Sequence, residues 1–278
     1  MRLLKILMFF ISLQEERHYF LGYSVIKLTF LGTGSAFTLG EGNFQSNMLL
    51  ESSRGRKMLV DCGMDARFSL HELGYSHKDI DDVYISHLHA DHAGGLEWLA
   101  FSSYFNQHQK KISLYIHESL VTPLWNNVLS GGLSSLEGKI ATLDSYFDVH
   151  AVPMNISFFW EGIEFQLIQT IHVMSGFTII PCFGLYFSTG EHEVYVTTDT
   201  RFAPHQIMKF YKSASIIFQD CETAKIESGV HATFDQLVSL PEEIRKKMWL
   251  YHYNPGPLPD AKKKGFLGFV KKGQSFEF

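Results

Sequence analysis

Three imidazoles and a carboxylate crowd into positions 87–92 of this chain, in the run Ser86-His87-Leu88-His89-Ala90-Asp91-His92. Imidazole nitrogen and carboxylate oxygen suit zinc and similar first-row ions. Four such ligands on one turn exceed what one tetrahedral ion takes from a single segment. The spacing therefore predicts a two-metal site completed by residues from elsewhere. A lone His is ordinarily a surface or satisfied core residue, but three with an Asp at this spacing are poorly explained that way.

Such a cluster must be held at the end of a rigid element. The apolar run Val83-Tyr84-Ile85 precedes it and reads as a short buried strand. Gly94 and Gly95 follow, then a helical pattern over residues 96–106. Other strand-like runs cover residues 26–31, 47–51, 57–61, 112–117, 162–173, 177–189, 193–198, 214–220 and 249–253, each apolar and bounded by turn residues. Helical patterns cover 66–73, 119–129, 203–212 and 234–248. Gly131 and Gly132 are expected to end the second of these and Pro241 to break the last. Strand groups with their own helices predict an α/β (αββα) architecture, two mixed sheets face to face with helices on the outer faces. Residues 26–278 read as one domain. Gly32-Thr33-Gly34-Ser35 has Phe37 where a dinucleotide loop would need its third glycine, so it reads as a tight turn.

Composition narrows the function class. With 278 residues, 45% hydrophobic and 19% charged, the chain can build a sizeable core. A formal net charge of −5 gives no global pull toward nucleic acid or an anionic membrane. Cys62, Cys182 and Cys221 are odd in number and form no CxxC pair, which favours a reducing, cytoplasmic setting. The first 25 residues open with an apolar stretch like the front of a signal peptide, but Gln14-Glu15-Glu16 follows it directly and no small-x-small cleavage site appears. They read as an N-terminal extension, an accessory helix or a leader, and the stretch is too short to span a bilayer.

Further ligands stand at or near the ends of apolar runs: His172 after 165–171, Asp199 after 194–198, and His252 within 249–253. With these on the page, the chain resembles the metallo-β-lactamase fold and, within it, the phosphodiesterase branch that includes ribonuclease Z. Phe30-Leu31-Gly32-Thr33-Gly34 is similar to the family's first strand and turn, and Val60-Asp61-Cys62-Gly63 to its second motif. His87-x-His89-x-Asp91-His92 is the signature, and Thr198-Asp199-Thr200-Arg201 resembles its Asp-Thr motif. Cys221-Glu222-Thr223 with His231-Ala232-Thr233 resembles the pieces that mark the phosphodiesterase branch, and Leu250-Tyr251-His252 the closing motif. The resemblance implies that His87, His89 and His172 hold one divalent cation and Asp91, His92 and His252 another. Asp199 would bridge them, with zinc or manganese as the metal. It implies His231 as general acid, Glu222 as the group orienting it, and Asp61 as support for a ligand His.

In ribonuclease Z a long arm that grips RNA lies between the third-motif His and the bridging Asp. Here residues 173–198, 26 in all, occupy that interval and read as two strands. That interval suggests a small phosphodiester. Among small members of the branch the chain most resembles, in length and in His231-Ala232-Thr233, the viral anti-Pycsar phosphodiesterases. The resemblance implies a homodimer that opens 3′,5′-cyclic nucleotides, cyclic pyrimidine monophosphates favoured. A ribonuclease Z-like tRNA 3′-processing endonuclease or related nuclease, and a protein that only sequesters a nucleotide, stay open. A thioester or lactam hydrolase leaves His231 and Glu222 without a role. The basic cluster Lys262-Lys263-Lys264 and Lys271-Lys272 reads either as a phosphate contact or as a solvated tail. The aromatics, 24 Phe and 12 Tyr, read mostly as core.

Overall fold

The computed structural model describes residues 25–106 and 110–278. The reading of the first 25 residues thus falls, but for Val25, outside the described residues. Two seven-stranded sheets lie face to face. The first has the order β14-β1-β2-β3-β4-β5-β6 and the second β13-β12-β11-β10-β9-β8-β7. The first sheet's strands are β1 (Ile26–Phe30), β2 (Met48–Ser52), β3 (Lys57–Val60), β4 (Asp82–Ile85), β5 (Ile112–His117) and β6 (Phe147–Val152), with β14 (Ser275–Glu277) at its edge. The second holds β7 (Ser157–Trp160), β8 (Ile163–Ser175), β9 (Thr178–Ser188), β10 (Glu193–Val196), β11 (Ile216–Asp220), β12 (Met248–Tyr251) and β13 (Gly268–Phe269). The helices are α1 (Ala66–Glu72), α2 (Ala90–Ala93), α3 (Leu96–Tyr104), α4 (Glu118–Pro123), α5 (Ser130–Leu133), α6 (Leu143–Tyr146), α7 (Pro204–Ser213), α8 (Phe234–Val238) and α9 (Glu242–Arg245).

Burial on both faces explains why the strands read as near-continuous apolar runs. Ile26, Leu28 and Phe30 of β1 and Leu50 of β2 point between the sheets, onto Phe165, Phe187, Val196 and Phe218 of the second sheet. The Phe30 ring lies 5.2 Å from Phe218 and 5.3 Å from Tyr251. Leu49, Leu59, Val83 and Ile85 face the other way, onto α1 and α3. Tyr195, Ile217 and Leu250 meet α7, α8 and α9 on the far side. The expected αββα sandwich is the fold observed.

Several elements depart from expectation. Residues 124–129 form a wide π-helical stretch after Pro123, and α5 carries the helical path on to Leu133. Gly132 does not end that path: a Cβ there would lie 2.2 Å from the Glu97 carboxylate, so its small size serves packing. Pro241 does break the last helix, standing as N-cap of α9. His172 does not end its strand, because β8 runs on to Ser175 through a bulge between Ile171 and Met174. In the tail after His252 the lysines are mostly exposed, as the solvated reading expects, but the backbone is tied to the sheets. Phe266 is buried, β13 extends the second sheet, and β14 pairs with β1.

The sandwich matters to the site because of strand direction. β3 and β4 run parallel, as do β10, β11 and β12, and each carries a polar side chain of the cluster at or just past its carboxyl end. Asp61 follows β3, Ser86 and His87 follow β4, Asp199 stands just past β10, Asp220 ends β11 and His252 follows β12. Open α/β sheets place ligands at the carboxyl ends of their strands in this way. Asp61, Thr198 and His252 leave their strands with positive φ (65°, 51° and 61°), a region that non-glycine residues rarely adopt and that clusters at functional sites.

The α2 turn that carries Asp91 and His92 is stitched to the loop after β3. Cys62 N–H donates to His92 O at 2.7 Å, Met64 N–H to Ala90 O at 3.2 Å, and Gly95 N–H to Cys62 O at 2.8 Å. A Cβ on Gly63 would sit 2.1 Å from the Asp91 carbonyl. Gly63→Ala should therefore cost about 3 kcal/mol or more, read as a melting point roughly 6–12 °C lower. An unchanged melting curve would mean that the two segments can separate without loss.

Candidate metal centre

The structure brings His87, His89, His172 and Asp199 together, and beside them Asp91, His92, Asp199 and His252. Within each group one nitrogen or oxygen per residue lies within 4.8 Å of all the others. Asp199 belongs to both. Its Oδ2 is 3.7 Å from His87 Nε2, 3.5 Å from His172 Nε2 and 3.3 Å from His92 Nε2, while its Oδ1 is 3.5 Å from His252 Nε2. Asp91 Oδ2 lies 3.1 Å from His92 Nε2 and 3.4 Å from His252 Nε2.

The outer hydrogen bonds decide which ring atoms point inward. Ser86 gives its hydroxyl proton to Asp61 Oδ2 at 2.8 Å, so its oxygen accepts from His87 Nδ1 at 3.0 Å. His172 Nδ1 donates to Val230 O at 2.9 Å, and His92 Nδ1 to Asp61 Oδ2 at 2.7 Å. Each bond turns Nε2 toward the cluster, where a ligand His must present its lone pair once any proton there has left. The bulge in β8 turns His172 into this position, a common use of bulges beside sites. His89 presents Nδ1, 3.0 Å from His87 Nε2 and 3.2 Å from His172 Nε2.

These residues fit a pair of cations. Ligands at 2.0–2.1 Å around a tetrahedral ion stand about 3.3–3.4 Å from one another, and the observed separations bracket that value. Asp91 Oδ1, His92 Nε2 and Asp199 Oδ1 are buried without a hydrogen-bond partner. Buried polar atoms are otherwise almost always satisfied. An imidazole and carboxylate donor set suits zinc and other first-row divalent ions.

His231 joins Asp199, Asp220 and His252 in a third group, its Nδ1 4.0 Å from Asp199 Oδ2. Its Nδ1 donates to Asp220 Oδ2 at 2.7 Å, while Asp220 Oδ1 lies 3.4 Å from His252 Nδ1. Thr200 N–H donates to Asp220 Oδ2 at 2.9 Å. Glu222 does not orient His231, contrary to the sequence reading. Its carboxylate accepts from Ser228 N–H and Ser228 Oγ, because the 222–233 loop folds back on itself. Sequence reasoning missed Asp220, although it closes the apolar run 214–220 as other site residues close theirs. A cavity of about 340 Å³ opens over the cluster, and its walls include Ser35, Phe37, Glu222, His231 and Asn254.

Charge is balanced within the cluster. Burial pushes the pKa of His87, His89 and His172 down, which keeps these imidazoles neutral. Burial opposes charge on His92 and His252 as well, but Asp199, Asp91 and Asp220 outweigh it and raise both well above the usual imidazole value. Burial likewise opposes ionised Asp91 and Asp199, yet His92 and His252 hold both below the usual carboxylate range. His231 is raised by Asp220 and Asp199 against the cost of burial.

The family model described as Anti-Pycsar protein Apyc1 matches residues 26–276. The chain is 34% identical over 259 residues to "Anti-Pycsar protein Apyc1" of Bacillus phage vB_BveM-Goe7, covering 89% of this chain and 96% of that one. It is 38% identical over 236 residues to the protein of that name from Paenibacillus sp. (strain J14), covering 82% and 89%. Among solved structures it is similar to the metallo-β-lactamase fold protein YhfI from Bacillus subtilis (TM-score 0.70, 21% identity, 92% of this chain and 100% of that one). Human tRNase Z, short form, is also similar (TM-score 0.65, 18% identity, 90% and 98%). At these identities the two structures speak for the fold alone.

Cations that occupy the cluster displace protons from His92 and His252, so loading releases protons and strengthens with pH. Those two groups are raised. Their stabilisation of the metal-free protein is present below about pH 6.5 and is lost as pH rises through their folded values. Zinc should therefore raise the melting temperature more at pH 8 than at pH 6 in a thermal-shift assay. A larger shift at pH 6 would place the displaced protons elsewhere.

Proposed function

Because the chain belongs to the Anti-Pycsar protein Apyc1 family, we propose that it opens 3′,5′-cyclic nucleotides, cyclic pyrimidine monophosphates foremost, to linear monophosphates. In this reading His87, His89 and His172 hold one divalent cation, and Asp91, His92 and His252 hold the other. Asp199 faces both, and zinc or manganese is the metal. When bound, the pair supplies the positive charge that acidifies water and neutralises phosphate oxygens in an in-line displacement. Water adds to phosphorus and one ribose oxygen leaves. His231, its Nδ1 committed to Asp220, holds a proton at Nε2 for that oxygen. The raised pKa keeps the proton in place near neutral pH.

The observation that carries this reading is the His231–Asp220 pair beside the clustered ligands in one small cavity. Small-molecule sites run from about 300 to 1,000 Å³, and this cavity lies at the lower end, the size for a mononucleotide. Residues 173–198 form the end of β8, then β9 and β10, an interval that leaves little chain for an RNA-gripping arm. A homodimer working in the cytoplasm belongs to the same proposal. Among the described residues no helix is long and apolar enough to cross a membrane.

Purified protein with zinc or manganese should convert 3′,5′-cyclic CMP and UMP to linear monophosphates and leave a precursor tRNA intact. Cleavage of RNA alone would sink the proposal, and tight nucleotide binding without turnover would favour sequestration. His231→Ala should lower kcat by about 10²–10⁴-fold with metal content unchanged. Asp199→Ala should lose both metals, which elemental analysis would read directly.

A further inference from the structure

Phe37 breaks two rules of a folded chain at once. The residue is 82% exposed, and its backbone has φ of 57°, a conformation that is an outlier for a bulky side chain. The strain is held in place from several sides. Gly34 N–H donates to Phe44 O at 2.9 Å and Ser35 N–H to Tyr253 O at 3.1 Å. Thr38 Oγ1 donates to Ser35 O at 2.7 Å, and Asn254 Nδ2 to Ser35 Oγ at 3.1 Å. Tyr253 and Asn254 directly follow His252, so the segment that carries a cluster residue also fixes this turn. Strain that is over-determined in this way collects at ligand clamps.

Among the described residues the Phe37 ring packs on no other ring. It does line the cavity over the cluster, where it is the one phenyl, phenol or indole ring among the described lining residues. The remaining walls are largely polar or imidazole: Ser35, Glu222, Ser228 and His231. A cyclic nucleotide has two unlike ends. Its charged phosphate matches the His and Asp floor, while its flat base needs an aromatic face. We propose that Phe37 is the stacking platform for the nucleobase, an assignment that rests on the cyclic-nucleotide reading above. Stacking on a phenyl ring tolerates any base, so Phe37 sets affinity for a base as such and leaves base preference to polar groups.

The test compares the zinc-loaded wild-type protein with Phe37→Ala, Phe37→Trp and Phe37→Gly. The probes are 3′,5′-cyclic UMP and a 1-O-methyl-ribose 3′,5′-cyclic phosphate, which lacks a base. Loss of one base stack corresponds to about a 5- to 150-fold weaker interaction. Phe37→Ala should raise KM for cyclic UMP by that factor, leave kcat within about threefold and leave the base-free substrate unaffected. Phe37→Trp should keep the wild-type KM. Phe37→Gly should melt at a higher temperature than wild type, since glycine relieves the positive φ, yet bind cyclic UMP as poorly as the alanine variant by calorimetry. An active wild type whose KM is unmoved by Phe37→Ala overturns the stacking role alone, as does an equal loss on the base-free substrate or a change only in oligomeric state. A wild type that opens no cyclic nucleotide overturns both readings.

Discussion

Asp199 is a carboxylate buried among His87, His92, His172 and His252, and the rest of the site follows from the need to keep its charge there. An isolated buried carboxylate would neutralise itself by taking up a proton. Here two raised imidazoles hold it ionised. The same residues that satisfy it as protonated partners would, once deprotonated, join it in holding cations. The site is thus stable enough to fold with protons in place and poised to exchange them for metal, which is how metal affinity comes to depend on pH.

A second ring of carboxylates makes the first one specific. Asp61 takes Ser86 and His92, and Asp220 takes His231, His252 and the Thr200 backbone. Both stand at the carboxyl ends of strands from opposite sheets. The two sheets can therefore meet at this edge only in the register that aims these rings inward. Packing between the sheets supplies the rigidity: Phe30 against Phe218 and Tyr251 fixes the spacing between β1 and the strands that end in Asp220 and His252. Fold and site are coupled through those contacts.

Much of this was legible in the sequence, for reasons that differ by residue. The buried strands announced themselves because two-sided burial leaves few polar positions, and His87 to His92 because no structural role needs that density of imidazoles. Asp199 and His252 could be found as polar residues beside apolar runs. Asp220 satisfied the same rule and was passed over for Glu222, since a carboxylate at a strand end also reads as an ordinary turn residue. The bulge that re-aims His172 leaves no mark in a local pattern. The α2 turn, Ala90–Ala93, was hidden by its shortness, and it is held by the bonds to Cys62 and Met64. The strands β13 and β14 were lost among lysines, because short edge strands draw their stability from the sheets they join rather than from their own composition.

The pairing of β14 with β1 joins the last described strand to the first: Ile26 and Phe278 exchange two backbone hydrogen bonds, at 3.1 and 3.0 Å. On the ribosome β1 is made early and its outer edge waits for more than two hundred residues. During that interval the nascent chain carries an unpaired strand edge, the feature by which chains pair wrongly with one another. The segment that ends the wait is made after every residue of the metal cluster. Translation order therefore places the closing of the sheet after the synthesis of the chemistry, and a chain arrested short of β14 would hold all its ligands on an unfinished sandwich.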